Sequence, residues 1–229
     1  MEMAGRFYSI ACIPAFNEAP TIGQVVAQTR KFVDNVFVID DGSNDQTPLI
    51  AKAAGATVVR HDKNKGYGAA LKTIFRTARI KGADVIVVID GDGQHSPDEI
   101  PRVLEPILSG DADVVIGSRF AHGNRNSIPS IRKVGLAVLN VATRMLGPRI
   151  LDSQSGFRAY SRNAVDVIDP YIDGMAAGSE ILVQANRSHL KIVEVPTTCK
   201  YESEDSFQKQ FLHGFDVLLS LVRLYLQSI

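Results

Sequence analysis

Asp90, Asp92 and Gln94 are spaced two residues apart in VIVVIDGDGQHSP (85–97), with a glycine after each acid, where a run of apolar residues stops. Carboxylates and carboxamides offer oxygen ligands, and hard cations such as Mg²⁺ and Mn²⁺ prefer oxygen. Asp92 and Gln94 can therefore direct two oxygens at one divalent ion. Such an ion usually keeps the rest of its shell for water and substrate phosphates. The glycines carry no Cβ, so backbone and phosphate can approach closely. The same residues also suit a plain turn, because Asp-Gly and Gly-Asp pairs are common turn formers. The stretch alone leaves both readings standing; its surroundings must decide.

Those surroundings alternate between strand and helix. FYSIACI (7–13), NVFVID (35–40), ATVVRH (56–61), DVIVVID (84–90) and DVVIGS (113–118) predict strands. Several are apolar at consecutive positions, as expected of strands covered on both faces. TIGQVVAQTRKF (21–32), TPLIAKAAG (47–55), YGAALKTIFRTARIKG (67–82) and SPDEIPRVLEPILSG (96–110) predict helices. Ser96 and Glu99 form a capping-box pattern, with Pro97 in the first turn. The alternation implies an α/β fold with a doubly wound, mostly parallel sheet. Beyond residue 118, AHGNRNSIPS (121–130) has loop composition, SIRKVGLAVLNVATRML (130–146) reads as an amphipathic helix, and LDSQSGFRAYS (151–161) as a loop into a strand. GSEILVQANRSHL (178–190) predicts a helix and KIVEVPTTCKY (191–201) a strand. With neither repeats nor a linker in view, residues 1–229 are expected to form one domain: a nucleotide- and metal-binding half (1–118), an acceptor-binding half (119–205) and a C-terminal helix (206–229).

Ligands of open parallel sheets bind outside the carboxyl ends of the strands. The first strand runs into PAFNE, with Pro14, Phe16, Asn17 and Glu18; the second into DGS, with Asp41; the third into HDKNKGYG, with His61 and Lys65. Phe16 by itself reads more readily as core than as a stacking platform. Asp41 can accept a hydrogen bond from a base edge or cap the next helix. PAFNEAP stands where a dinucleotide-binding fold needs GxGxxG, and no Walker A pattern occurs. The crevice thus suits a nucleoside diphosphate held by metal and side chains.

Composition bounds the alternatives. Of 229 residues, 45% are hydrophobic and 22% charged, with zero formal net charge, so nothing suggests a nucleic-acid partner. Cys12 and Cys199, the two cysteines, show neither zinc nor disulfide spacing, and a reducing cytoplasmic setting is the expectation. MEMAGRFYSI lacks the apolar core of a secretory signal. FDVLLSLVRLYLQSI, interrupted by Asp216 and Arg223, falls short of the ~20 apolar residues of a membrane span. Its helical spacing (Phe211, Leu212, Phe215, Leu218, Leu219, Val222, Leu226) predicts a helix packed on its own sheet, with Leu221, Leu224 and Tyr225 left for membrane, a membrane partner or a second subunit.

PAFNE, VIDDGSND, DKNKGYGAAL, DGDGQ, GSR and DSQSGFR occur in that order. Together they resemble the family 2 glycosyltransferases, in particular the dolichyl-phosphate mannosyltransferase-like branch acting on polyprenyl phosphates. The resemblance implies a GT-A-like fold, a GDP- or UDP-linked sugar donor, Mg²⁺ or Mn²⁺, inversion at the anomeric carbon and a polyprenyl or dolichyl phosphate acceptor at the cytosolic membrane face. It implies that Pro14, Phe16 and Glu18 line the nucleotide pocket, Asp41 faces the base, Asp90 approaches the ribose, and Asp92 and Gln94 hold the metal. Lys65 is added to the donor set from its strand-end position. Arg119 of GSR and Arg132 correspond to the arginines expected on the acceptor phosphate. Members of that branch carry a basic residue, glycine and serine after the last strand; this chain reads CKYESEDSFQK, leaving Lys200 as the candidate cation.

A phosphate acceptor has its second pKa near ~6 and needs no general base. Glu180 is therefore read as a first-turn acid favoured by the helix dipole rather than as a catalyst. Asp92, Arg119 and Arg132 form the catalytic set. The rival expectations are a related enzyme acting on a saccharide or protein hydroxyl, and a sugar-nucleotide-binding subunit without turnover.

Overall fold

Both faces of the central strands are apolar because helices cover both. In the computed structural model, which describes residues 7–121, 140–141, 143–144 and 147–200, Ile10 and Cys12 of β1 (Ser9–Ala15) pack into one core and Ala11 and Ile13 into another. Period-two alternation thus runs through an uninterrupted apolar segment. The first core receives Leu71, Ile74, Phe75 and Ala78 of α3 (Tyr67–Lys81). The second receives Ile22, Val25 and Val26 of α1 (Ile22–Thr29) and Ile100, Val103, Leu104 and Ile107 of α4 (Ile100–Leu108). Each helix presents an apolar stripe at three- and four-residue spacing.

The remaining elements are β2 (Asn35–Asp40), α2 (Thr47–Ala53), β3 (Thr57–Arg60), β4 (Val85–Val88), β5 (Val114–Ser118), β6 (Arg158–Ser161), α5 (Arg162–Val167), α6 (Ala177–Arg187) and β7 (Ile192–Pro196). Among the described residues seven strands form one sheet in the order β3-β2-β1-β4-β6-β5-β7. All pairings are parallel except those of β6, which runs antiparallel between β4 and β5. The expected α/β, mostly parallel architecture is what forms. Chain order reverses direction across the sheet at β1 and β4, which opens a crevice at their carboxyl ends.

Two local expectations are corrected. The segment expected to start α4 with a capping box instead makes a 3₁₀ turn at Pro97–Glu99, and Ser96 makes no side-chain cap. Glu99 is drawn away: its carboxylate accepts hydrogen bonds from the backbone N–H and hydroxyl of Thr198. The short helix α5 was not anticipated; Ser161 caps it by accepting from the Ala164 N–H. The helix expected over 130–146 lies largely, and that over 206–229 wholly, outside the described residues, as does Arg132. No helix among the described residues is long and apolar enough to cross a membrane.

Candidate active site

A cleft of about 780 Å³ opens where β1, β2 and β4 end. Pro14, Phe16 and Glu18 line it from β1, Asp41 from β2, and Asp90 and Asp92 from β4. The structure thus brings together six residues the sequence had assigned to donor or metal. Phe16 is 39% exposed although large and apolar, so its ring faces the cleft rather than the core. A 430 Å³ hollow at the opposite end of the sheet offers no comparable arrangement. Its Asp113 carboxylate is already held by Ser161, Asn163 and the Lys191 N–H.

The cleft is electrostatically loaded. Burial pushes Asp90 up to about 7, the charge of Asp92 pushes the same way, and Arg119 and Arg158 pull back. Glu18 is also pushed up to about 7, by burial and then by Asp92, against a hydrogen bond from Thr21. Three carboxyl groups this close resist simultaneous ionisation. A divalent cation would relieve that repulsion, so the donor set fits Mg²⁺ or Mn²⁺. Among the described residues no cluster of three or more His, Cys, Asp or Glu side chains forms a metal cage by itself.

Four assigned residues are placed differently from expectation. Gln94 does not line the cleft: its carboxamide oxygen accepts the Cys199 thiol at 3.7 Å. Asp41 lines the cleft, but its carboxylate is engaged within the protein. Oδ1 lies 2.6 Å from His61 Nδ1 and accepts the Lys65 N–H, while Oδ2 accepts the Gly66 N–H. Asp41 therefore fastens the start of α3 to the end of β2, and a base must approach around those bonds. Lys65 points away, its ammonium 2.6 Å from the exposed Asp62 carboxylate, and Asn64 and Gly66 supply the wall. Arg119 is buried and gripped side-on by Asp152: Nε to Oδ2 at 2.8 Å, Nη2 to Oδ1 at 2.6 Å, with its own backbone N–H on Oδ2 at 2.9 Å. Lys200 is exposed, and its backbone runs beside the loop that follows Asp92. Its N–H donates to the Gln94 carbonyl, and His95 and Cys199 form an antiparallel bridge next to it.

Sequence reasoning missed Asp152 and Arg158, which the quoted DSQSGFR segment contains. Arg158 is buried and spends its guanidinium on the carbonyls of Ser153, Ser155 and Gly178, at 2.7, 2.8 and 2.7 Å, folding the segment over the end of β4. An acid and an arginine bracketing small polar residues were the available signal. Glu194 of β7 extends the same scaffold by accepting the Leu151 and Asp152 N–H groups.

The profile of glycosyl transferase family 2 matches residues 10–168, a span that holds the cleft lining except Gly174, Met175 and Ala176, and the sheet except β7. The chain belongs to glycosyl transferase family 2. It is 34% identical to a UDP-N-acetylglucosamine–dolichyl-phosphate N-acetylglucosaminyltransferase of Methanococcus voltae, over 93% of this chain and 94% of that protein. An undecaprenyl-phosphate mannosyltransferase of Micrococcus luteus is 32% identical over 82% of each chain. Among solved structures, glucosyl-3-phosphoglycerate synthase from Mycobacterium tuberculosis, in complex with Mn²⁺, UDP and glucosyl-3-phosphoglycerate, superposes with a TM-score of 0.74 at 25% identity, covering 96% of this chain and 80% of that one. The family 2 chain is a glycosyltransferase by sequence and by fold.

Glu180 has a structural occupation in this enzyme. It is fully buried in the first turn of α6 and accepts from the N–H groups of Tyr171 and Ile172 and from the Gln184 carboxamide. Burial raises its carboxyl, and those hydrogen bonds and Lys72 oppose the rise. A carboxylate with three donors already in place is a poor general base.

Proposed function

We propose that this family 2 glycosyltransferase transfers a sugar, with inversion, from a GDP- or UDP-linked donor to the phosphate of a polyprenyl or dolichyl phosphate. The observation that carries the reading is the acidic end of the crevice, where Asp90 and Asp92 line it beyond β4. That end suits a metal-bound diphosphate. Arg119, buried on Asp152 just after β5, lies close enough for its charge to be felt at Asp90, and release from Asp152 would offer its guanidinium to an acceptor phosphate.

Pro14, Phe16, Glu18 and Asp41 border the nucleotide, and Asp90 the ribose. Asp92 would hold Mg²⁺ or Mn²⁺, joined by Gln94 once its carboxamide turns from Cys199. The bound ion would supply positive charge beside the leaving diphosphate, as Lys200 does from the loop. Arg119, together with Arg132 outside the described residues, orients the acceptor. An acceptor phosphate oxygen attacks the anomeric carbon as the bond from that carbon to the diphosphate breaks, and the nucleoside diphosphate leaves. The dianionic phosphate needs no proton removed, which agrees with Glu180 being otherwise engaged. The chain's own contribution is positioning and charge. One sheet carries both the donor half and the acceptor half. The lipid acceptor brings the enzyme to a membrane surface, and the segment beyond residue 206 is the contact to test.

The names of the two lipid-phosphate-acting relatives support this acceptor, and the Mn²⁺- and UDP-bound neighbour supports the donor and ion. The test is incubation of the full chain with radiolabelled sugar nucleotides, Mn²⁺ and polyprenyl phosphate in detergent. Acid-labile, solvent-extractable label is the expected product. Label moving only to saccharide or protein hydroxyls would reject the acceptor. Arg132→Ala should raise the KM for lipid phosphate and leave sugar-nucleotide binding unchanged; equal loss of both would reject the division of roles.

A further inference from the structure

Tyr67 opens α3 and lines the cleft together with Asp90, Asp92, Gly174, Met175 and Ala176. Its position is fixed from both sides. Gly66 before it has φ +93°, a conformation that side-chain-bearing residues rarely adopt, and its N–H is held by Asp41. Gly68 after it donates its N–H to the Asp173 carbonyl at 2.8 Å. A Cβ on Gly68 would collide with the Ile172 carbonyl oxygen and lie 2.6 Å from Asp173 C, so the 171–174 loop rests directly on the first turn of α3. Glu180 clamps that loop from the other side. Tyr67 is consequently a rigidly aimed side chain.

Its ring packs against the core, and its hydroxyl senses the charges of Asp90, Arg158 and Asp92. Burial and the two acids keep the phenol protonated, with Arg158 opposing. It is a permanent O–H donor in the floor of the cleft. Tyr67 is half-buried, and a tyrosine hydroxyl that borders a cleft is free to find its partner in a ligand bound there. Arg158 is not that partner, having its guanidinium on three carbonyls, and among the described residues the Tyr67 hydroxyl makes no hydrogen bond.

We infer that the Tyr67 hydroxyl donates a hydrogen bond to the sugar of the bound sugar nucleotide and helps select it; this rests on the donor reading above. The lining decides which part of the donor it meets. The nucleotide has Phe16 and Pro14, and the diphosphate has the Asp92 end of the cleft. The loop seated on the glycines at either side of Tyr67 leads into Gly174, Met175 and Ala176, cleft-lining residues that are small or apolar and without charge. A diphosphate seated there would lack cations. A neutral pyranose offers hydroxyls to the phenol and C–H groups to Met175, a large apolar residue that is 43% exposed.

The experiment measures Mn²⁺-dependent binding of a nucleoside diphosphate and of the corresponding sugar nucleotide, by calorimetry, to wild type and Tyr67→Phe. Phenylalanine keeps the ring and removes no hydrogen bond to any described residue, so the fold survives. The sugar nucleotide should bind about three- to tenfold more weakly to Tyr67→Phe, as expected for one lost neutral hydrogen bond. The nucleoside diphosphate alone should bind equally to both. Among singly deoxygenated donors, one should bind wild type and Tyr67→Phe alike. Equal loss for diphosphate and sugar nucleotide, or no loss for either, overturns the assignment while leaving the transferase reading intact. A wild type that binds no sugar nucleotide overturns both.

Discussion

Replacing Asp152 with alanine takes the carboxylate away from a buried arginine. Asp152 is fully buried, Arg119 nearly so, and the substitution deletes acceptors for Arg119 Nε (2.8 Å), Nη2 (2.6 Å) and backbone N–H (2.9 Å). Removing one partner of a buried ion pair costs about 3–5 kcal/mol, because the other charge stays behind without compensation. That is a large part of the roughly 5–15 kcal/mol that holds a domain together. Exchanging both partners for apolar groups (Arg119→Met with Asp152→Leu) removes both charges and leaves the backbone N–H of residue 119 short of its Asp152 acceptor, a cost of about 1–3 kcal/mol. The double variant should therefore be more stable than Asp152→Ala, and far from the sum of the single losses. Equilibrium urea unfolding at matched m-values measures all of these. If Asp152→Ala lost under about 1 kcal/mol, or if the losses simply added, the pair would be neither buried nor coupled in the way the geometry requires. Activity adds a second readout: both variants should lose lipid-phosphate use, the double variant despite its recovered stability.

The metal-free protein should lose stability as pH rises toward and through about 7, where Asp90 and Glu18, ionised near their ordinary lower values when unfolded, must ionise in the fold. His95, held down to about 4 by burial and then by Arg119, acts in the opposite direction between about 4 and 6.5. Melting temperatures from pH 6.5 to 7.5 therefore isolate the carboxylates, and a curve that rises there, or one that Asp90→Asn leaves unaltered, contradicts the cleft electrostatics. Gly68→Ala should destabilise by about 1–3 kcal/mol through overpacking against the 171–174 loop, and weaken donor binding; unchanged urea midpoint and affinity would mean the loop is not seated on α3. Phe16→Ala should leave stability within about 1 kcal/mol, since the ring is 39% exposed, yet weaken nucleoside diphosphate binding by about 1–3 kcal/mol if a base stacks on it. Loss of stability without loss of affinity would return Phe16 to the core.

The order of strand and helix, the two-faced burial of β1 and the cluster of Pro14, Phe16, Glu18, Asp90 and Asp92 at the strand ends were legible in the residues. They depend on local periodicity, and on the rule that parallel strands bring their carboxyl ends to one edge. The tertiary structure alone decided the rest. It ran β6 antiparallel into the sheet, drew Glu99 from its cap to Thr198, turned Gln94 toward Cys199 and spent Asp41 on the entry to α3. It also set Asp152 against an arginine 33 residues away and laid the 171–174 loop on Gly68. Hydrophobic spacing specifies which face of an element is buried. It carries no information about which polar partner, distant along the chain, will lie within 3 Å once those faces have packed.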